Sequence, residues 1–152
     1  MLRVVAADPA SDDALRLIAQ LDAALAQITS DSGASSFDPR DVQGHGAAFV
    51  IAYEDSGRAV GCGALRVLEG DTGELKRMYA QPGSGAGAVI LAALEQRAIA
   101  CGYRRLWLST RRVNTRAVGF YERHGYARVA PWGRYIGREV SVCLGRDLFN
   151  CA

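Results

Sequence analysis

The chain has 152 residues, 49% of them hydrophobic, and its 18 basic and 16 acidic residues give a formal net charge of +2. This length predicts one domain, 1–152, with a core of its own. The near balance of charge argues against a nucleic-acid partner, which usually requires a clear basic excess. No apolar run approaches the roughly 20 residues that span a membrane, and the start lacks the pattern of a secretion signal. We therefore expect a cytoplasmic protein without a membrane partner.

The cysteines and histidines do not form a metal-binding pattern. They are Cys62, Cys101, Cys143, Cys151, His45 and His124. No two cysteines are spaced as CxxC and the two histidines lie far apart, so no metal site is expected. Without an export signal the thiols should be reduced. The first three cysteines are expected to fill space in the core, whereas Cys151, near the end of the chain, is expected to be exposed.

The first half of the chain predicts a strand, a helix and a three-stranded meander. The elements are a strand over 2–7, a helix over 10–28, a loop over 30–41, and strands over 47–54, 59–69 and 74–80. Asp8-Pro9 opens the helix, because proline suits a first helical turn. Its buried face is predicted from apolar residues at helical spacing, namely Leu15, Ile18, Leu21, Leu25 and Ile28. The loop carries a short helical turn after Pro39, and tight turns join the last three strands as antiparallel hairpins.

The second half alternates helices and strands. The elements are a helix over 85–101, a strand over 103–110, a helix over 114–125, and strands over 126–130 and 138–148. Gly102 and Gly125 end the two helices as C-terminal caps. The order contains no repeat and no linker, and it predicts a single α/β domain with a mixed sheet.

A glycine-rich loop directly precedes the second long helix. The segment GSGAG (83–87) has glycine at every other position and leads into VILAALE. A helix start presents unpaired N–H groups and the positive end of the helix dipole, so a phosphate or pyrophosphate is the expected ligand. A Walker-type loop is excluded because no Gly-Lys-Ser/Thr follows, and the spacing does not suit a dinucleotide fold. A structural turn without a ligand stays open.

From about residue 47 to 148 the chain resembles the GNAT superfamily of acyl-CoA-dependent N-acyltransferases. The resemblance is carried by the strand ELKRMYA, the glycine loop with its helix, the Gly102-Tyr103 joint, WLST, and N-x-x-A-x-x-F-Y-x-x-x-G-Y over 114–126. The residues before 47 match only in their strand–helix order. The resemblance implies a mostly antiparallel sheet of about six or seven strands flanked by helices, in which the fourth and fifth strands splay apart.

The resemblance also implies acetyl-CoA as cosubstrate and indicates which residues hold it. The pantetheine arm pairs with the edge of the fourth strand, and the pyrophosphate lies on the glycine loop. The matching positions here are Met78, Tyr79, Ala80, Gly83, Ser84, Gly85, Ala86, Gly87 and Ala88. Asn114, a good helix N-cap, also approaches the pantetheine.

The glycine loop departs from the family in two respects. It is shorter than in common members and lacks the Arg or Gln that precedes the core G-x-G. The matching position is Gly83 or, by a looser alignment, Pro82 or Gln81. A charge-assisted hydrogen bond, worth roughly 1.5–3 kcal/mol, is thereby lost. Candidate replacements are Arg111, Arg112 and Arg116.

Amide formation from an amine and a thioester needs two proton transfers, because the amine loses a proton and the leaving thiolate gains one. In the family the Tyr of the Phe-Tyr pair lies near the CoA sulfur, which implies Tyr121 as the acid; the alternative is a packed ring whose hydroxyl bonds a carbonyl. Members often use a Glu at the first residue of the fourth strand, here Glu74, as the base. The alternative is a solvated carboxylate paired with Lys76 or Arg77. Other carboxylates open to this role are Glu122 and Asp38.

The acceptor site is expected between the loop 30–46, the strand 59–69 and the connection 131–138. Its notable side chains are Phe37, Arg66, Trp132, Arg134 and Tyr135. Two of these arginines, Arg66 and Arg134, suit a carboxylate on the acceptor; the alternative is that both only solubilise the surface. His45 is open as a residue of the acceptor mouth, and His124 is expected to be an exposed cation at a helix end.

We therefore favour a small-molecule amine with an anionic group as the acceptor. Two alternatives stay open. One is a protein N-terminus or lysine as the acceptor, which would need an open groove. The other is a CoA-binding sensor that has lost catalysis. The resemblance also implies a homodimer.

Overall fold

A computed structural model describes residues 1–30 and 38–148. The strands are β1 (Arg3–Ala6), β2 (Ala48–Tyr53), β3 (Ala59–Glu69), β4 (Thr72–Ala80), β5 (Arg105–Arg111), β6 (Ala127–Arg128) and β7 (Ser141–Asp147). The helices are α1 (Asp12–Thr29), α2 (Ala86–Ala100) and α3 (Thr115–Arg123), with short 3₁₀ turns at Pro39–Val42 and Gly133–Tyr135. Phe37 and Cys151 lie outside the described residues, so their predicted places are not described.

All seven strands belong to one sheet, in the order β1-β2-β3-β4-β5-β7-β6. Neighbouring strands are antiparallel except β4 and β5, which are parallel. A parallel pair needs a crossover connection, and α2 is that crossover. The predicted mixed, mostly antiparallel sheet flanked by helices is confirmed.

Helix α1 begins later than the sequence predicted. Ser11 caps it, accepting a hydrogen bond from the N–H of Ala14 at 3.3 Å. The N–H of Ser11 in turn donates to the carbonyl of Asp8, so Pro9 lies in a turn ahead of the helix and not in its first turn. Two start signals compete in this segment, and the serine cap determines where the helix begins.

The buried face of α1 is also rotated from the predicted one. Its fully buried residues are Ala14, Leu17 and Leu21. Leu15 and Ile28, both predicted to be buried, are 53% and 47% exposed. The helix carries more apolar residues than one face can hold, so periodicity alone did not select the face that meets the sheet.

Two cores lie on opposite faces of the sheet. Helix α2 covers one face and places Ile90, Leu91 and Leu94 in the larger core. Helix α1 covers the other face with Ala14 and Leu17. Because strand side chains alternate between faces, β2 contributes to both cores.

Helices α2 and α3 end at glycines, as predicted. Gly102 has φ +87° and Gly125 has φ +90°. After α2 the N–H of Tyr103 donates to the carbonyl of Ala98, and the N–H of Gly102 to that of Ile99. This pair of bonds is a Schellman motif, which needs a left-handed residue at the glycine position.

The cysteines are only partly where the sequence placed them. Cys62 and Cys143 are buried, but Cys101, at the end of α2, is exposed. Burial raises the pKa of the Cys62 thiol to about 12. No group of three or more His, Cys, Asp or Glu within residues 1–30 and 38–148 could hold a metal ion. In the same part of the chain no helix is long and apolar enough to cross a bilayer.

Strands β4 and β5 are paired over only part of their length. The register joins Thr72–Glu74 to Arg105–Trp107, although β4 continues to Ala80 and β5 to Arg111. Beyond this register the two strands separate. The backbone edge of β4 that faces β5 is therefore left unpaired by the sheet, which is the predicted splay.

A bulge in β4 lies inside the splayed region. The register with β3 shifts between Cys62 and Ala64, and Arg77 adopts φ +52°. A bulge adds one residue and bends the strand. The buried guanidinium of Arg77 forms an ion pair with Asp22 of α1, and the Cys62 thiol donates to the carbonyl of Arg77 at 3.4 Å. These contacts fix the bend.

Gly63, opposite the bulge, has no room for a side chain. An added Cβ would lie 2.6 Å from Met78 Sδ and 2.9 Å from Leu94 Cδ1. Gly63→Ala is therefore expected to lower the free energy of unfolding by about 1–3 kcal/mol through overpacking, as measured by urea denaturation.

Gly119→Ala in α3 is the matched control. There the added Cβ meets only the flexible guanidinium end of Arg123, at 3.2 Å, and alanine is the better helix former. This variant should keep or raise the stability. A similar loss in both variants would mean that close packing at Gly63 is not what sets the cost.

Candidate active site

A cavity of about 200 Å³ opens where β4 and β5 separate. Its walls come from α1, β4, β5, the start of α3 and the connection between β6 and β7. Residues predicted for the catalytic, donor and acceptor sites meet in it, namely Glu74, Met78, Asn114, Tyr121, Arg134 and Tyr135. The cavity is smaller than the ~300–1,000 Å³ typical of pockets for drug-sized ligands.

Helix α3 presents one face to the cavity. Asn114 is the N-cap, and its side chain accepts a hydrogen bond from the N–H of Ala117 at 3.2 Å. Asn114, Ala117 and Tyr121 all line the cavity, as their helical spacing predicts. The cap thus fixes where the helix begins and, with it, where Tyr121 lies.

Tyr121 is a buried phenol, 7% exposed. Its ring packs edge-to-face on Phe120 and Tyr126, with centroids 5.2 and 5.7 Å away. Burial raises the pKa of its hydroxyl, so the group holds its proton at neutral pH. Within the described ranges the hydroxyl makes no hydrogen bond, and the predicted alternative, a bond to a main-chain carbonyl, is not present among them.

Glu74 lies at the point where the two strands begin to separate, and its side chain is 3% exposed. Its Oε1 is 2.9 Å from Nε of Arg66, whose Nη1 is 3.3 Å from Oδ2 of Asp41. Arg66, predicted as a partner of the acceptor, therefore lies between two carboxylates of the protein. Because a charge this deeply buried needs a partner, the ion pair accounts for an ionised carboxylate inside the fold.

Electrostatic effects cross the cavity from β4 to the connection before β7. Burial lowers the pKa of Lys76, Glu74 opposes this effect, and Arg134 adds to it. Burial and Glu74 raise the pKa of Tyr135, which Arg134 and Arg138 oppose. These groups therefore act on one another, although β4 and the connection are far apart in sequence.

The glycine loop leads into α2 with a left-handed glycine at the N-cap. Gly85, the N-cap of α2, has φ +73° and no side-chain cap. Ser84 Oγ accepts from the N–H of Ala86 at 3.2 Å, while the N–H groups of Gly87 and Ala88 lie in the first turn, where no intrahelical acceptor exists. An added Cβ at Gly87 would lie 3.2 Å from the ring of Phe120, so the loop and α3 are adjacent.

The side chains considered as replacements for the missing loop arginine are not equivalent. Gln81 accepts from Arg58 at 2.7 Å and donates to Gln20 at 3.0 Å, so its side chain is engaged away from the loop. Arg112 donates to the carbonyl of Glu139 at 2.9 Å. Arg116 is exposed on the first turn of α3, one helical turn before Phe120 and on the same side of the helix.

The other carboxylates considered as bases are placed less well. Asp38 is bound by Arg40, whose Nη2 donates to it at 2.7 Å. That hydrogen bond lowers the pKa of Asp38 to about 2, which makes it a poor proton acceptor near neutral pH. Glu122 is exposed on α3 and does not line the cavity.

The remaining candidates lie outside the cavity wall. Trp132 stacks on Trp107 with centroids 5.3 Å apart. His45 is exposed, and His124 is half-buried with Nδ1 2.8 Å from the carbonyl oxygen of Phe120.

Arg138 lines the cavity but was not singled out from the sequence, although it lies in the same connection as Arg134.

This fold and this cavity define an acyl-CoA N-acyltransferase architecture. The model of the family described as "Acetyltransferase (GNAT) family" matches residues 17–126. The chain belongs to the GNAT acetyltransferase family and is an acetyl-CoA-dependent N-acyltransferase. The resemblance stated from the sequence is confirmed, and the match extends further toward the N-terminus than that resemblance did.

Two similar proteins match nearly end to end. An "IAA acetyltransferase" of Azospirillum brasilense is 30% identical over 144 residues, which are 92% of this chain and 94% of that protein. A Klebsiella pneumoniae protein whose crystal structure was assigned to the acyl-CoA N-acyltransferases is 30% identical, with a TM-score of 0.82, and the match covers 98% of this chain and 99% of that one.

A third structure shares the fold alone. It is a GNAT family acetyltransferase from Elizabethkingia anophelis, solved with acetyl-CoA bound, and it is 13% identical. Its TM-score is 0.69 and the match covers 97% of this chain and 98% of that one. The fold is thus common to proteins that differ at most positions.

Proposed function

We propose that this protein transfers an acetyl group from acetyl-CoA to the primary amine of a small molecule, by direct attack of the amine. The observation that carries the proposal is that Tyr121 and Glu74 line one cavity at the β4–β5 splay. The first is a protonated phenol and the second a buried carboxylate, which are the acid and the base that the reaction needs.

We propose that backbone groups make the main contacts with the acetyl donor, acetyl-CoA. The unpaired edge of β4 at Met78–Ala80 suits the amides of a pantetheine arm, and the start of α2 over 83–88 suits a pyrophosphate. Asn114, the N-cap of α3, lines the same cavity, and we propose that it contacts the pantetheine arm. Arg116 is the best-placed substitute for the missing loop arginine, since it lies on the side of α3 that meets the loop.

Bound acetyl-CoA supplies a thioester whose carbonyl carbon the amine attacks. Glu74 accepts a proton from the incoming ammonium, directly or through a water molecule. As the carbon–sulfur bond breaks, Tyr121 donates its proton to the departing sulfur, and the nitrogen, which carries one proton too many after the attack, gives that proton to the Tyr121 oxygen. The buried surroundings that raise the pKa of Tyr121 also disfavour a free thiolate. The departing sulfur therefore needs a proton in the same buried region in which Tyr121 holds one.

A small acceptor agrees with the shape of the cavity. The cavity, bordered by α1 and the 131–138 connection, holds about 200 Å³, which suits a small acceptor better than an extended peptide. The Azospirillum relative is named as an acetyltransferase of IAA, which supports a small-molecule acceptor and not a protein.

We extend the proposal to a cytoplasmic homodimer, whose mass in solution can be measured by light scattering.

Calorimetric titration with acetyl-CoA, CoA and NAD tests the donor site. Acetyl-CoA and CoA should bind, because the β4 edge and the glycine loop recognise parts that both share, whereas NAD should not. Arg116→Gln should weaken the binding of acetyl-CoA and of CoA by about ten- to a hundredfold, because one charge-assisted contact with a phosphate is lost. Arg128→Gln removes an exposed arginine on β6 and should change neither affinity. If acetyl-CoA does not bind, it is not the acetyl donor, and the proposed reaction is ruled out.

A further inference from the structure

The cavity has a marked excess of positive charge. Its basic lining residues are Lys76, Arg77, Arg111, Arg134 and Arg138, and its one acidic lining residue among those described is Glu74. That carboxylate is already paired with Arg66, which is not in the wall. A cationic cleft with low-dielectric walls concentrates anions.

Two of these cations have no counter-ion among residues 1–30 and 38–148. Arg77 is held by Asp22. Arg134 and Arg138, in contrast, form no ion pair with any described residue. The guanidinium of Arg134 lies 6.0 Å from the ring centroid of Tyr135, and a contact with a ring face does not engage its N–H groups in hydrogen bonds.

The two arginines lie on the acceptor side of the cavity. Both belong to the connection before β7, together with Tyr135, and both line the same cavity as Glu74. Tyr121 and Asn114, on α3, form the donor side. An acceptor whose amine approaches Glu74 would therefore bring its other end toward Arg134 and Arg138.

We infer that the acceptor is an amine bearing a carboxylate, and that Arg134 and Arg138 bind that carboxylate. Two guanidinium groups can hold both oxygens of a carboxylate with charge-assisted hydrogen bonds. A compact amino acid fits a cavity of about 200 Å³, and it brings an amine and an anion in one small molecule. This inference rests on the proposed function and names its substrate class.

The test compares matched acceptors. Amino acids are offered with acetyl-CoA, each beside its carboxamide, and the acetylated product is measured by chromatography, because exposed Cys101 would disturb a thiol assay. The acid should be the better substrate, with a kcat/KM about ten- to a hundredfold above that of its amide, as expected for one lost charge-assisted contact.

Matched variants assign the effect to residues. Arg134→Gln and Arg138→Gln should each raise KM for the amino acid by about tenfold or more, with kcat and the KM of the amide nearly unchanged. Arg128→Gln is the control and should match the wild type. If the arginine variants instead weaken acetyl-CoA binding in calorimetry, the two side chains serve the phosphates of the donor and the inference is overturned.

Failure of the reaction can be told apart from failure of this inference. Turnover of amides as well as acids would overturn the inference and leave the transferase intact. If no amine is turned over, the amino acids are titrated into the CoA complex. Binding that depends on Arg134 and Arg138 would then support the carboxylate site while the proposed reaction fails, and absence of binding would overturn both.

Discussion

Tyr121→Phe is expected to lower kcat by about 10²–10⁴-fold, the usual contribution of a positioned acid, and to leave the Kd for acetyl-CoA unchanged. The substitution removes one oxygen and keeps the ring that packs on Phe120 and Tyr126. The lost hydroxyl makes no hydrogen bond within the described residues, so the fold should not suffer.

The pH dependence of the wild type adds an independent check. Burial raises the pKa of Tyr121 above the usual value near 10, so the acid form persists as the pH rises. Ionisation of this residue should therefore cause no loss of kcat below about pH 10. A falling limb near pH 8 would indicate a different acid.

Tyr126→Phe is the matched control. Tyr126 is equally buried, but its hydroxyl donates to Glu95 at 2.9 Å and it does not line the cavity. Its loss should cost about 1 kcal/mol of stability with kcat near that of the wild type. Steady-state kinetics and calorimetry on both variants separate the two roles. An unchanged kcat in Tyr121→Phe would mean that this residue only packs.

Local signals predicted the parts of the fold that are set by short stretches of chain. The helix ends at Gly102 and Gly125 depend on backbone conformations that favour glycine, and both were predicted. The predicted start of α1 was wrong because Pro9 and Ser11 are both acceptable start signals, and the Ser11 side-chain cap on the N–H of Ala14 sets the start that is observed.

The candidate site could be predicted only in part, because several of its residues are brought together by contacts between distant parts of the chain. Asn114 and Tyr121 share a helix face, so spacing alone placed them together. The pairing of Arg66 with Glu74 depends on the β3–β4 register, which is set by the turn and the bulge. Arg138 enters the cavity through an irregular connection, which has no periodicity to read.

Glu74→Gln is expected to lower kcat/KM by about 10²-fold near pH 7 and by progressively less at higher pH. The carboxylate is needed because a primary amine is mostly protonated at neutral pH. As the pH rises the amine arrives already neutral, so the benefit of a base declines. Glutamine keeps the size of the side chain but cannot accept the proton.

The same substitution also removes a partner of Arg66, and this effect needs its own control. Asp41→Asn removes the other carboxylate, 3.3 Å from the same guanidinium, and leaves Glu74 in place. If the loss in Glu74→Gln reflects proton transfer, it should vary with pH and should be absent in Asp41→Asn. If it reflects the buried ion pair of Glu74 with Arg66, Glu74→Gln should lose more stability in urea than Asp41→Asn, which leaves that pair in place, and its activity loss should be the same at every pH. The second pattern would make Glu74 a structural residue and leave the base to be found elsewhere in the cavity.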